Sequence, residues 1–154
     1  MQVTFPMIVQ KFKEYNQSYF GGELPMPRFR LLTTYAVIGR FFCYRIIGKR
    51  RLRGQRIDVS CYYDFTEAEL RDVLVHEMLH YYLAYKHIDN DLSHGEAFIS
   101  MSKVFNQQYG MNIKVMAKRY EYKRAVDAPL MPWVLYIVFS YLIFPYLFLY
   151  HIIF

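Results

Sequence analysis

Apolar residues recur at helical spacing near the start of the chain. In "FPMIVQKFKEYNQSYFGGELP", Ile8, Val9, Phe12, Tyr15 and Tyr19 fall on one side of a helix. Pro6 suits a first turn, and Gly21-Gly22 a stop. Pro25 and Pro27 favour extended chain beyond it. Three segments then read as strands: "RFRLLTTY", "GRFFCYRII" and "QRIDVSCYY". In the third, Ile57, Val59 and Cys61 alternate with Arg56, Asp58 and Ser60, the pattern of a sheet with one buried face.

The strongest helical signal is "DFTEAELRDVLVHEMLHYYLAYKH". Thr66 and Glu69 have the spacing of a capping box, and Phe65 and Leu70 that of a hydrophobic staple. A polar loop, "IDNDL", leads into "SHGEAFISMSKVFNQQYG", a further helix with Ser93 as candidate N-cap and Gly110 as its stop. "MNIKVMAKRYEYKR" is short and basic. Strands followed by helices predict an α+β domain with a short, mainly antiparallel sheet.

The last segment, "APLMPWVLYIVFSYLIFPYLFLYHIIF", carries no Asp, Glu, Lys or Arg. All 19 basic and 13 acidic residues therefore lie in Met1–Asp127. This divides the chain into a basic globular domain, 1–127, and a hydrophobic, helical tail, 128–154. The tail is long enough to span a bilayer. Lys118, Arg119, Lys123 and Arg124 precede it, which favours a cytoplasmic domain anchored to a membrane. One rival reading, a buried core helix, needs a larger protein around it; another is a frameshifted or degenerate gene end. Cys43 and Cys61 are the only cysteines, too few for a disulfide framework and with no CxxC pair for a zinc ribbon. The start of the chain lacks the pattern of a signal peptide. A net charge of +6 suits an anionic partner, nucleic acid or membrane lipid. The candidate nucleic-acid residues are Lys49, Arg50, Arg51 and Arg53 in "GKRRLRGQR", against the plainer reading of a solvated hairpin loop.

Four of the five histidines lie in "VHEMLHYYLAYKHIDNDLSHGEAF". His76 and His80 are one helical turn apart, so both imidazoles can reach one ion. Glu77 stands beside them, placed to take a proton from water and badly placed to be a ligand. Zinc suits imidazole nitrogens, and a catalytic site needs a third protein ligand. His87 is seven residues past His80, on the order of 10 Å further along the helix, and is out of reach. The metzincin spacing would need Gly at position 83 and His at 86, where this chain has Leu83 and Lys86. His94 is the preferred third ligand, with Glu96 its competitor.

The order of "YNQSYFGGELPMPRF", strands, "VHEMLHYY", "HGEAF" and "NQQYGMNI" resembles the SprT-like metallopeptidase domain, related to the Spartan proteases. The resemblance covers about Phe5 to Arg124. HExxH is common to many zincins; the downstream His-Gly-x-x-Phe and the early Tyr-Phe-x-Gly-x-Leu are more particular. By position it implies one zinc per chain on His76, His80 and His94, with Glu77 as general base. It implies a small zincin in which the HExxH helix backs the sheet. It also implies hydrolysis of protein substrates, among them DNA-associated proteins. Many family members continue into a cysteine zinc ribbon, which this chain lacks. The expected function is a zinc-dependent metalloendopeptidase. The alternative is a non-catalytic, zinc-stabilised module that tethers nucleic acid or membrane and has no use for Glu77. The third strand is expected to be the edge on which substrate adds.

The anchor reading has a direct test. Full-length protein should stay with membranes through a carbonate wash, and a chain ending at Asp127 should be released while still binding zinc. A full-length chain that is monomeric in water without detergent rules the anchor out.

Overall fold

The computed structural model describes residues 1–45, 52–88 and 94–129. Its order is α1 (Phe5–Phe20), β1 (Arg28–Leu32), β2 (Gly39–Arg45), β3 (Leu52–Ser60), α2 (Glu67–Tyr85), α3 (Glu96–Tyr109) and a 3-10 turn at Arg119–Glu121. The α+β class expected from the pattern holds. Beyond Pro129 the tail lies outside the described residues, as do Lys49, Arg50 and Arg51. Among the described residues, no helix is long and apolar enough to cross a membrane.

Helix α1 closes at Gly21, whose φ of 62° is the left-handed conformation that glycine adopts without strain. Ile8, Phe12, Tyr15 and Phe20 form its buried side. Phe12 meets Phe29 of β1 edge to face, with ring centroids 5.5 Å apart. Helix α2 begins at the predicted capping box: Glu69 N–H donates to Thr66 Oγ1 at 3.2 Å, and Thr66 N–H donates to Glu69 Oε2 at 2.7 Å. Phe65 and Leu70, the staple pair, are buried. Helix α2 is covered on most sides, which explains why its apolar residues do not keep to one stripe. It packs on β2 and β3 and against both α1 and α3. Phe41 of β2 stacks on Tyr81 at 5.0 Å, and the Tyr81 hydroxyl donates to the Pro25 carbonyl at 3.0 Å.

The sheet departs from expectation in two ways. Its order is β1-β3-β2, with β3 parallel to β1 and antiparallel to β2. It is therefore mixed, and β3 is its central strand, so the expected substrate edge at β3 is already paired on both sides. The cause lies at the end of β3. Ser60 N–H donates to the Ile38 carbonyl at 2.9 Å, and Ser60 Oγ donates to the Thr34 carbonyl at 2.7 Å. These bonds hold the short 33–38 link around Ser60, so β3 lies between the two strands that this link joins.

The predicted one-sided burial of β3 also fails. Ile57, Asp58, Val59 and Ser60 are all inaccessible to solvent. Asp58 is on the face opposite Ile57, yet three arginines cover it. Arg30 Nη2, Arg40 Nη2 and Arg56 Nε donate to its carboxylate at 3.0, 2.9 and 2.8 Å. Burial by itself would raise the Asp58 carboxyl, but hydrogen bonds from Arg40, Arg56 and Arg30 outweigh it and hold the group below the usual carboxylate range.

Helix α3 starts at Glu96 with Gly95 as N-cap, two residues later than the proposed Ser93 cap, which lies outside the described residues. His94 therefore precedes the helix. Gly110, with φ of 58°, ends it as expected.

Replacing Asp58 with Asn should lower stability by about 2 kcal/mol at pH 7, because three guanidinium groups lose their shared acceptor charge. Urea unfolding measures this. The folded carboxyl is more acidic than the unfolded one, so its contribution is complete at neutral pH. It fades as pH falls below about 4 and is gone once pH has passed the lower folded value. The acid-side loss of stability should be shallower in Asp58→Asn than in wild type.

Candidate metal centre

Helix α2 carries His76 and His80 one turn apart on the side that faces α3. The chain entering α3 brings His94 across to them. The Nε2 atoms of His76 and His94 are 3.1 Å apart, and those of His80 and His94 are 3.2 Å apart. Each of the three histidines offers one ring nitrogen, all lying within 4.8 Å of one another. Tetrahedral ligands about 2.0–2.1 Å from a zinc ion stand roughly 3.3 Å apart. The three side chains thus fit a single small cation.

Their electrostatics suit the same role. Burial lowers His76 to about 3, helped by the neighbouring His80 and His94. Burial and His94 lower His80 to about 4, and burial lowers His94. All three imidazoles are neutral at pH 7 and can offer lone pairs. The His76 ring also bonds to the backbone at Lys114. Such an outer contact orients a ligand ring.

Phe98, one turn into α3, forms the floor. Its ring stacks on His80 at 4.4 Å and meets His76 and His94 edge-on at 4.8 and 4.7 Å. It is fully buried. Phe98 is the aromatic residue of the His-Gly-x-x-Phe pattern, four residues after His94, and the pattern alone assigns it no role.

Glu77 is not one of the groups that converge with the histidines; it lines a cleft together with Ile38, Gly39, Val73, His76 and His94. The Phe41 backbone N–H donates to it. Burial pushes its carboxyl up to about 8, with the charge of Asp58 adding and the Phe41 bond and Arg40 opposing. Gly39, at the start of β2, makes room for it. A methyl group at position 39 would stand 2.7 Å from Glu77 Oε1 and 3.0 Å from Val73 Cγ1. Nothing in the local sequence around Gly39 announces this, because the partners lie on α2. Across the cleft the wall is residues 112–117. Asn106 holds this segment: it donates to the Ile113 carbonyl at 3.0 Å and accepts from Ile113 N–H at 2.7 Å.

The other candidates sort clearly. Glu96 is exposed at the first turn of α3 and is not one of the converging groups. His87 follows the end of α2 with φ of 60°, beside Leu52 and Arg53 and away from the cluster. Arg53 lies in β3 rather than in a loop.

The model of the SprT-like family matches residues 8–118, a span holding most of α1, the sheet, the three histidines, Glu77 and the cleft wall. The chain belongs to the SprT-like family. Membership makes it a zincin-like, metallopeptidase-type domain. No curated relative matches the chain. The resemblance noted in the sequence thus holds for the family, and the helix-borne His76 and His80 of this member meet His94 in space.

Metal analysis checks the cluster. Purified protein should carry about one divalent ion per chain. His76→Ala, His80→Ala and His94→Ala should each lose it, while His87→Ala and Glu96→Ala should retain it. Retention by His94→Ala would break the three-histidine assignment.

Proposed function

We propose that the protein is a zinc-dependent endopeptidase, with His76, His80 and His94 as the metal ligands and Glu77 as the general base. The observation that carries the reading is the convergence of three Nε2 atoms beside a buried carboxylate that does not join them. Three imidazoles and no thiolate suit zinc. When bound, zinc supplies a Lewis acid at neutral pH.

The chain's own residues do the rest. The cleft reaches Glu77 between Ile38–Gly39 and residues 112–117. Strand β2 is an edge of the sheet, so an extended peptide can add alongside it and run past Glu77. This replaces β3 as the substrate edge. A cation on the neighbouring histidines would favour the ionised form of Glu77, which would then take the proton of the attacking water and pass it to the departing amine. The Phe41 N–H and the missing side chain at Gly39 hold its carboxylate in place. Residues Ile38, Val73, Val115, Met116 and Ala117 give the cleft apolar walls, which suit an apolar substrate side chain next to the scissile bond.

The rival reading, a zinc-stabilised module without catalysis, shares the histidines but not the need for a carboxylate in the cleft. Glu77→Gln separates the two. It should keep its zinc and its melting temperature, while cleavage of an unfolded protein such as casein falls by about two to four orders of magnitude. Gly39→Ala should also keep zinc and lose at least about tenfold in kcat, because the new methyl displaces the carboxylate. Added to Glu77→Gln, it should cost little more, since both changes act on one group. Equal cleavage by wild type and Glu77→Gln would defeat the mechanism.

A further inference from the structure

Among the described residues, strand β2 has a partner strand on one side only. Its bonding shows which groups face the open side. Ser60 N–H donates to the Ile38 carbonyl, so pairing with β3 uses the backbone of Ile38 and, by alternation, that of Arg40 and Phe42. The backbone groups of Gly39 and Phe41 therefore face the open edge, where Glu77 accepts from the Phe41 N–H. Side chains alternate along the same strand. Position 39 faces Glu77 on α2, and Phe41 stacks on Tyr81 of the same helix. Arg40 stands between them and turns to the opposite face, where it donates to Asp58 at 2.9 Å.

This determines what an added peptide strand meets. Arg40 spends its backbone bonds on β3, so the peptide residue opposite it forms a non-hydrogen-bonded pair, in which side chains are closest. That side chain lies on the outer face beside the guanidinium, outside the cleft. Its two neighbours in the peptide point to the α2 side, opposite the two residues of β2 that touch Glu77.

The charge at this position is positive. Arg30, Arg40 and Arg56 share the single carboxylate of Asp58, which is itself inaccessible to solvent. Three cations against one anion leave a surplus, and the Arg40 side chain is 48% exposed. A carboxylate opposite Arg40 gains a partner there, while a lysine or arginine meets like charge at close range. Phe42 and Tyr44, further along the same face of β2, are 44% and 52% exposed and present rings, so on this strand selection by charge belongs to Arg40.

We propose that Arg40 is a specificity-determining residue, which selects extended peptides with an aspartate or glutamate opposite it on the edge of β2. The inference rests on the peptidase reading in one respect: the selected residue then flanks the scissile bond.

A neutral peptide with one central glutamate, and its glutamine and lysine versions, test this in two assays. Fluorescence anisotropy measures binding to the zinc-loaded full chain carrying Glu77→Gln. Mass spectrometry locates the cut made by zinc-loaded wild type. The glutamate peptide should bind about tenfold tighter than the lysine peptide, with glutamine between them, and the cut should fall within two residues of the glutamate. Arg40→Gln should erase the difference, and Arg40→Lys should keep it. Arg30→Gln also removes one donor from Asp58, but from β1, beyond β3 from the open edge. It should keep the preference, which separates selection by Arg40 from loosening of the Asp58 cluster. Melting temperatures identify any variant that has not folded, and the comparison of the three peptides on the Glu77→Gln chain needs no change at Arg40. The proposal is overturned by equal binding of the glutamate and lysine peptides, by a preference that survives Arg40→Gln, by no binding of any of the three, or by a cut far from the glutamate. Selective binding without cleavage by wild type supports the selection by Arg40 and defeats the peptidase reading. Cleavage without selectivity does the reverse.

Discussion

Burial of helix α2 is the constraint on which the rest depends. Its residues from Leu70 to Ala84 are apolar on nearly every side. A helix of that kind is stable only when several elements enclose it. The sheet covers one face, α1 a second and α3 a third. The same enclosure removes water from His76, Glu77 and His80, leaving the imidazoles neutral and the carboxylate hard to ionise. Core and candidate centre therefore share one helix and one cause.

Close approach has a steric condition. Strand β2 comes so near α2 at Gly39 that a single added carbon would meet the Glu77 carboxylate. The α3 side has the matching contact, where Phe98 fills the space beneath three imidazole rings. One small residue and one large one thus set the depth at which the polar groups sit. Neither bears a charge or a ligand atom.

The outer face of the sheet solves a different problem. A carboxylate without solvent needs donors for its lone pairs. Arg30, Arg40 and Arg56 supply them from all three strands, so the Asp58 cluster also ties the strands together. The cost is a surface crowded with positive charge and two exposed rings. That surface is what sets this sheet apart from a simple backing for helix α2.

Much of this was legible in the chain. The boundaries of α1, the capping box of α2 and the stop of α3 depend on residues close together in sequence, where glycine conformation and side-chain capping act locally. The pairing of His76 with His80 was legible for the same reason, since one helical turn fixes it. Fold class and family followed from the order of such signals. The strand order did not follow, because hydrogen bonds from Ser60 to a distant link decide it. The burial of Asp58 broke the alternation of β3 because its partners come from β1 and β2 as well as from its own strand. The approach of His94 to His76 and His80, the fit of Gly39 against Glu77 and the floor made by Phe98 required helices and strands to be placed against one another. Local sequence set which groups were available. Packing between elements far apart in the chain decided which of them meet, because contact distances of a few ångströms are properties of the assembled core.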